Sequence, residues 1–125
     1  YHAAYEPMRC IRTRRYKLIR YYDEHDGFVP ANIDDSLSKD FLIEHGYLEL
    51  TRDKEQLFDL YFDPVERVNL VHHPRYQEVY RDLSNRLDQW MQETHDPLLN
   101  GKVEKPKGAI VNKLRCLSPR MEDYE

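Results

Sequence analysis

The 125-residue sequence predicts an α+β fold, a small antiparallel sheet of three to four strands packed by one long amphipathic C-terminal helix. Three observations lead there. Large apolar residues recur every three or four positions between Pro74 and Glu93. β-Branched and aromatic residues concentrate in short runs before that stretch. Turn-forming residues separate those runs.

The leading segment, Tyr1 to Pro7, is aromatic and polar and has no period. Met8 to Thr13 and Tyr16 to Tyr22 read as two strands. Arg14-Arg15 joins them without Gly or Asn, which favours a loop of three to five residues over a two-residue primed turn. Asp23 to Asn32 is a loop marked by Gly27 and Pro30. A short helix is expected over Ser36–Glu44, capped by Asp34 or Asp35, with Leu37, Phe41 and Leu42 inward and its end at Gly46. Tyr47 to Leu50 reads as a short extended piece. Glu55 to Tyr61 is the clearest strand, with Leu57 and Asp59 on one face and Phe58 and Leu60 on the other. Asp63-Pro64 closes it, and Val65 to Leu70 reads as one helical turn.

In the long helix, Tyr76, Val79, Tyr80, Leu83, Leu87, Trp90 and Met91 share one side. Pro74 suits its first turn, and Pro97 disfavours helical backbone at Asp96. Leu83 and Trp90 are expected to be buried, and Arg81 and Asp88 exposed. The remainder, 98–125, is irregular and rich in Lys, Gly and Pro, and is expected to lie over the surface as an extended tail. The whole reads as one domain, with sheet and helix in 5–97. The sheet face away from the helix must be solvated or covered from outside this chain.

Composition excludes little. A net charge of −4 is mild, and the aromatic content argues against disorder. Cys10 and Cys116 are read either as a pair or as two thiols. No apolar run is long enough to span a membrane. The chain starts at Tyr1 and is read as part of a longer protein.

Candidate chemistry is sparse. Cys116-Leu117-Ser118-Pro119-Arg120 approaches the Cys-x-Pro-x-Arg pattern of a formylglycine precursor, but Pro falls one place late, so a surface Cys before a Ser-Pro turn is the plainer reading. His2, His25, His45, His72, His73 and His95 lack zinc-ligand spacing. Asp59, Asp63 and Glu66 lack the Gly and spacing of a calcium loop, and Asp63 and Asn69 suit turns that accept backbone N–H groups. Arg9, Arg12, Arg14, Arg15, Lys17 and Arg20 make a basic, aromatic hairpin. That hairpin suits a polyanion such as a sulfated glycan or single-stranded nucleic acid, or is an edge protected by charge.

Two segments together resemble a known family. Met8 to Ile19, MRCIRTRRYKLI, resembles the opening strands of the sulfatase C-terminal subdomain. Glu55 to Leu70, EQLFDLYFDPVERVNL, resembles its ELYDLxxDPxExxNL segment. Tyr5 to Arg9 and Trp90 to Pro97 add likeness to the N-sulfoglucosamine sulfohydrolases, or sulfamidases. The resemblance covers most of 5–97 and implies a subdomain that carries no catalytic or metal-binding residue of its own. It implies that calcium and formylglycine belong to an N-terminal catalytic domain of the same polypeptide, which is the expected partner. The substrate implied is a sulfated sugar in a lysosomal, periplasmic or secreted setting, a cytoplasmic one staying open, and no membrane or nucleic-acid partner is expected. It also implies that the leading segment lines the pocket mouth, with His2, Glu6 and Arg9 as substrate-binding candidates, loosely held when the catalytic domain is absent.

Overall fold

The computed structural model describes residues 3–125 and is α+β. In chain order its elements are β1 (Met8–Arg12), β2 (Tyr16–Tyr21), α1 (Leu37–Glu44), β3 (Glu55–Asp59) and α2 (Gln77–Glu93). The described residues form two compact units, one from 8–22 and 53–102, the other from 3–7, 23–52 and 103–125.

The first unit is the sheet and its helix. The strands run in the order β1-β2-β3, both pairs antiparallel. A three-residue loop joins β1 to β2, with the Thr13 N–H donating to the Tyr16 carbonyl at 2.8 Å. Ile11 pairs with Leu18, and Leu18 with Leu57, so three apolar side chains form one row across the sheet. Against that row lies Leu83 of α2, and Leu18, Leu57, Val71 and Leu83 make a buried cluster edged by Tyr16, Tyr76, Val79 and Tyr80. Leu87 and Met91 continue the buried stripe at four-residue spacing. β3 is shorter than expected but buried on both faces, since Phe58 is only 5% exposed.

Three expectations for this unit need correction. Trp90 is 48% exposed. It sits on the flank of α2 beside edge strand β1, where the three-stranded sheet ends. Asp88 is half-exposed because it pairs with Arg20 of β2. Val65 to Leu70 forms turns, not a helical turn, held by Asp63 and Asn69.

A polar row anchors α2 beside the apolar one. Arg20 donates to Glu55 Oε1 at 2.6 Å, to Ser84 Oγ at 2.6 Å, and to Asp88. Tyr80 completes it by donating to Glu55. Burial pulls the Arg20 guanidinium down, but the two carboxylates outweigh it and hold it above its ordinary range. The carboxylate likewise raises the Tyr80 hydroxyl above its usual value.

Pro74 opens a 3-10 turn, Pro74–Tyr76, that leads into α2. At the other end the Asp96 N–H reaches the Met91 carbonyl at 2.8 Å and the His95 N–H the Gln92 carbonyl at 3.2 Å. His95 takes the left-handed position of this Schellman turn at φ +51°. Pro97 then begins a new 3-10 turn, Pro97–Asn100, so the helix stops where the sequence indicates.

The second unit has little regular structure and a small core of Ala4, Val29, Ala31 and Cys116, flanked by Ala3 and Leu114. Residues 103–125 are not a surface tail. Asn112 bridges to both Ala4 and Tyr124, and Val111, Asn112 and Cys116 are buried. Asp123 gathers the segment, pairing with Lys113 and Arg115 at 2.6 Å each. Those two cations hold its carboxyl below the usual range.

α1 forms close to its expected place but turned differently. Ser36 caps it, accepting from the Lys39 N–H at 3.2 Å, and Gly46 ends it at φ +88°. Leu37 is 88% and Phe41 58% exposed, and the buried residue is Lys39. The Lys39 ammonium is satisfied by the Ile33 carbonyl at 2.8 Å and Asp35 at 3.0 Å, which lets a lysine take the inner face. Tyr47–Glu49 is a 3-10 turn and not extended.

Candidate functional site

Three local constructions hold the residues singled out from the sequence. The first is the leading segment. His2 lies outside the described residues. Ala3 to Pro7 is firmly tied, contrary to the expectation of a loosely held stretch. Asn32 Oδ1 accepts from the Ala3 and Ala4 N–H groups at 3.0 and 2.8 Å, and the Ala3 carbonyl accepts from the Asn112 N–H at 2.8 Å. Asn32 Nδ2 donates to Glu6 at 3.0 Å. Arg52, whose side chain is 1% exposed, lies 3.7 Å from Glu6 and 3.3 Å from Asp23, and donates to the Gly27 carbonyl at 3.1 Å. Glu6 is therefore a half-buried, oriented carboxylate at the end of a short polar network, and the Tyr5 hydroxyl nearby accepts from the Val103 N–H at 3.0 Å.

The second construction is Arg9. Its guanidinium grips Asp96 through two bonds, Nε at 2.5 Å and an Nη at 2.9 Å. Asp96 also accepts from the Leu98 N–H at 2.9 Å. The Arg9 pair drives the Asp96 carboxyl below its ordinary value against the opposing effect of burial. Arg9 so staples β1 to the end of α2 while keeping 30% of its side chain exposed.

The third is the turn after β3. Asp59 accepts from Arg15 at 2.8–3.1 Å, and this pair lowers its carboxyl despite burial. Asp63 accepts from the Val68 N–H at 2.8 Å, and Glu66 binds Lys17 at 2.8 and 2.9 Å. Asn69 Oδ1 accepts from the Leu57 and Val71 N–H groups at 2.9 and 3.1 Å. The Asp-Pro-x-Glu-x-x-Asn-Leu pattern is thus a structural clamp, and its carboxylates are engaged by the chain itself. Among the described residues, no group of three or more His, Cys, Asp and Glu side chains is placed to hold a metal.

Cys116 is fully buried rather than on the surface, its Sγ donating to the Asp123 carbonyl at 3.3 Å. Cys10 is exposed, and both are free thiols. Burial raises the Cys10 thiol above its ordinary value, more than Lys17 lowers it. Among the hairpin cations, Arg9, Arg15, Lys17 and Arg20 are each bound to carboxylates, which leaves Arg12 and Arg14 exposed and without an ion pair among the described residues. Sequence reasoning missed Asn32, Arg52 and Asp96, which orient the candidate residues from loops and a helix end where no period marks them.

Comparison with known proteins places these features in context. No family model matches the chain. Two ulvan-active sulfatases of Formosa agariphila are similar, one 31% identical over 119 residues and the other 28% identical over 120 residues. They align with 91% and 86% of this chain. A human N-sulphoglucosamine sulphohydrolase is 27% identical over 124 residues, 86% of this chain. The chain is similar to a part of each of these sulfatases. It spans only 24%, 19% and 23% of the lengths of these three relatives. The sulfatase resemblance of the hairpin and the clamp therefore extends through most of both units. No helix among the described residues is long and apolar enough to cross a membrane.

Proposed function

We propose that this chain is the C-terminal, non-catalytic subdomain of a sulfamidase-like sulfatase, where it supports the catalytic domain and helps wall the substrate pocket. The observation that carries this reading is the likeness of nearly the whole chain to a fifth or a quarter of sulfatase polypeptides. Exposed apolar side chains support a covering partner. Tyr61, Phe62, Val65 and Val68 are each more than half exposed in the clamp, and Leu37 and Phe41 in α1. Patches of this kind mark surfaces that another body covers, and the partner in this reading is the N-terminal catalytic domain of the same polypeptide.

The parent hydrolyses sulfamate or sulfate-ester groups on glycosaminoglycan sugars. Formylglycine and calcium, in the catalytic domain, supply the nucleophile and the charge that polarises sulfate. Within this chain His2, Glu6 and Arg9 stand near the substrate, with Glu6 aimed by Asn32 and Arg9 by Asp96. The alternative, a free-standing polyanion-binding hairpin, is less favoured because four of its six cations are already paired.

The test is kinetic. In the intact polypeptide, Glu6→Gln and His2→Ala are expected to lower kcat/KM on a sulfated sugar about tenfold, equivalent to about 1.4 kcal/mol. Glu6→Gln preserves the shape that Asn32 grips, so a loss reports the carboxylate. Parental kinetics in both variants would reduce the segment to a linker.

A further inference from the structure

The flank of α2 and the outer edge of β1 line a groove of about 390 Å³ that shares only Arg9 with the residues placed near the substrate. Ile11, Leu87 and Trp90 line it together with Cys10, Arg9, Arg12 and Arg86. The volume lies within the ~300–1,000 Å³ range of small-molecule sites.

Charge and shape together narrow the occupant. Arg12 is exposed and makes no ion pair among the described residues. Among the described residues Arg86 is tied only to Asp82, at 3.3 Å and with both side chains more than half exposed, an ion pair of the kind that contributes little and is easily exchanged. Arg9 keeps 30% of its side chain exposed, while its guanidinium is engaged by Asp96 and the Met8 carbonyl. No carboxylate among the described residues lines the groove, so its surface is cationic. Guanidinium groups match sulfate and carboxylate oxygens with paired N–H donors. An indole face carries the negative side of a quadrupole and attracts polarised C–H bonds, such as those on the flat side of a pyranose ring. Trp90 is half-exposed beside these arginines, an unusual position for the largest apolar side chain in the molecule. The chief competing occupant is an acidic peptide adding a strand to β1. Charged side chains on an edge strand oppose such pairing, and Arg9 and Arg12 lie on this one.

We propose that the groove between β1 and α2 is a binding subsite for an anionic saccharide unit, with Trp90 against the sugar ring and Arg12 and Arg86 on its sulfate or carboxylate groups. The choice of a saccharide rests on the sulfatase reading. The subsite goes beyond that reading, because it gives a segment without catalytic residues a glycan-holding surface of its own.

Trp90 is the only tryptophan in the chain, so intrinsic fluorescence reports occupancy directly. Titration of the 125-residue chain with a heparin tetrasaccharide is expected to give a saturable change in emission that weakens as salt rises. Maltotetraose, neutral and of equal length, is expected to give none. Arg12→Ala combined with Arg86→Ala is expected to weaken heparin tetrasaccharide binding at least about tenfold with an unchanged unfolding midpoint, since both side chains are exposed. Arg12→Gln alone offers a milder variant with the same direction of effect. The proposal is overturned by no saturable response, by undiminished binding in the Arg12 and Arg86 variants, or by a polyglutamate peptide binding as tightly as the tetrasaccharide. This readout needs no turnover. Absence of sulfate release by the intact polypeptide therefore rejects the sulfatase reading without deciding the subsite, and failure of the titration rejects the subsite alone.

Discussion

Leu83→Ala is expected to lower the unfolding free energy by about 2–5 kcal/mol. Leu83 is 1% exposed and closes the cluster of Leu18, Leu57 and Val71 between sheet and helix. Truncation removes the transfer energy of its methyl groups and leaves a cavity that sheet and helix cannot collapse to fill. Trp90→Ala, on the exposed flank, is expected to cost less despite the larger side chain. Denaturant titrations of the two variants check this, and an unchanged midpoint for Leu83→Ala, or a larger loss for Trp90→Ala, would mean that the packing face of α2 is misassigned.

The second large effect concerns Arg9. Arg9→Met is expected to cost about 3 kcal/mol at neutral pH, the lower end for breaking a buried ion pair, because Arg9 is partly solvated while Asp96 is 3% exposed. The variant leaves a buried carboxylate with the Leu98 N–H as its remaining partner among these contacts. The pH dependence follows from the lowered carboxyl of Asp96. A carboxyl depressed in the folded state adds stability that is fully present above its unfolded value, about 3.9, and is lost as pH falls through the folded value. The gap between parent and Arg9→Met is therefore expected to narrow below about pH 4, where the carboxyl protonates first in the variant. Stability curves at pH 7 and pH 3 decide it, and an equal gap at both would show that the pair contributes no pH-dependent stability.

What the sequence made legible was periodic. The stripe from Tyr76 to Met91, the strands around Leu18 and Leu57, and the stop at Pro97 all repeat or end by rules that act within one turn or one pleat. What it hid depends on partners far along the chain. Trp90 fits the helical period, yet the sheet ends at β1 before reaching it. Asp88 looked like solvated surface until Arg20, distant in sequence, came beside it. α1 shows the sharpest reversal, because an apolar pattern too short to choose a face yielded to a lysine with two satisfied hydrogen bonds. The last segment has no period at all. Its order comes from Asn112 and Asp123, whose bonds to Ala3, Met121, Lys113 and Arg115 carry no local signature. The candidate site divides the same way. Glu6 and Arg9 were named from the sequence, but Asn32, Arg52 and Asp96, which aim them, sit in loops or at a helix end.

The measurement closest to the central claim is sulfate release, read side by side on the 125-residue chain and on the intact polypeptide that contains it. The account predicts calcium-dependent release from a sulfamate or sulfate-ester sugar by the intact polypeptide and none by the chain alone. Calcium-dependent turnover by the isolated chain, abolished by Cys116→Ala, would contradict it, as would an intact polypeptide that releases no sulfate from either kind of substrate.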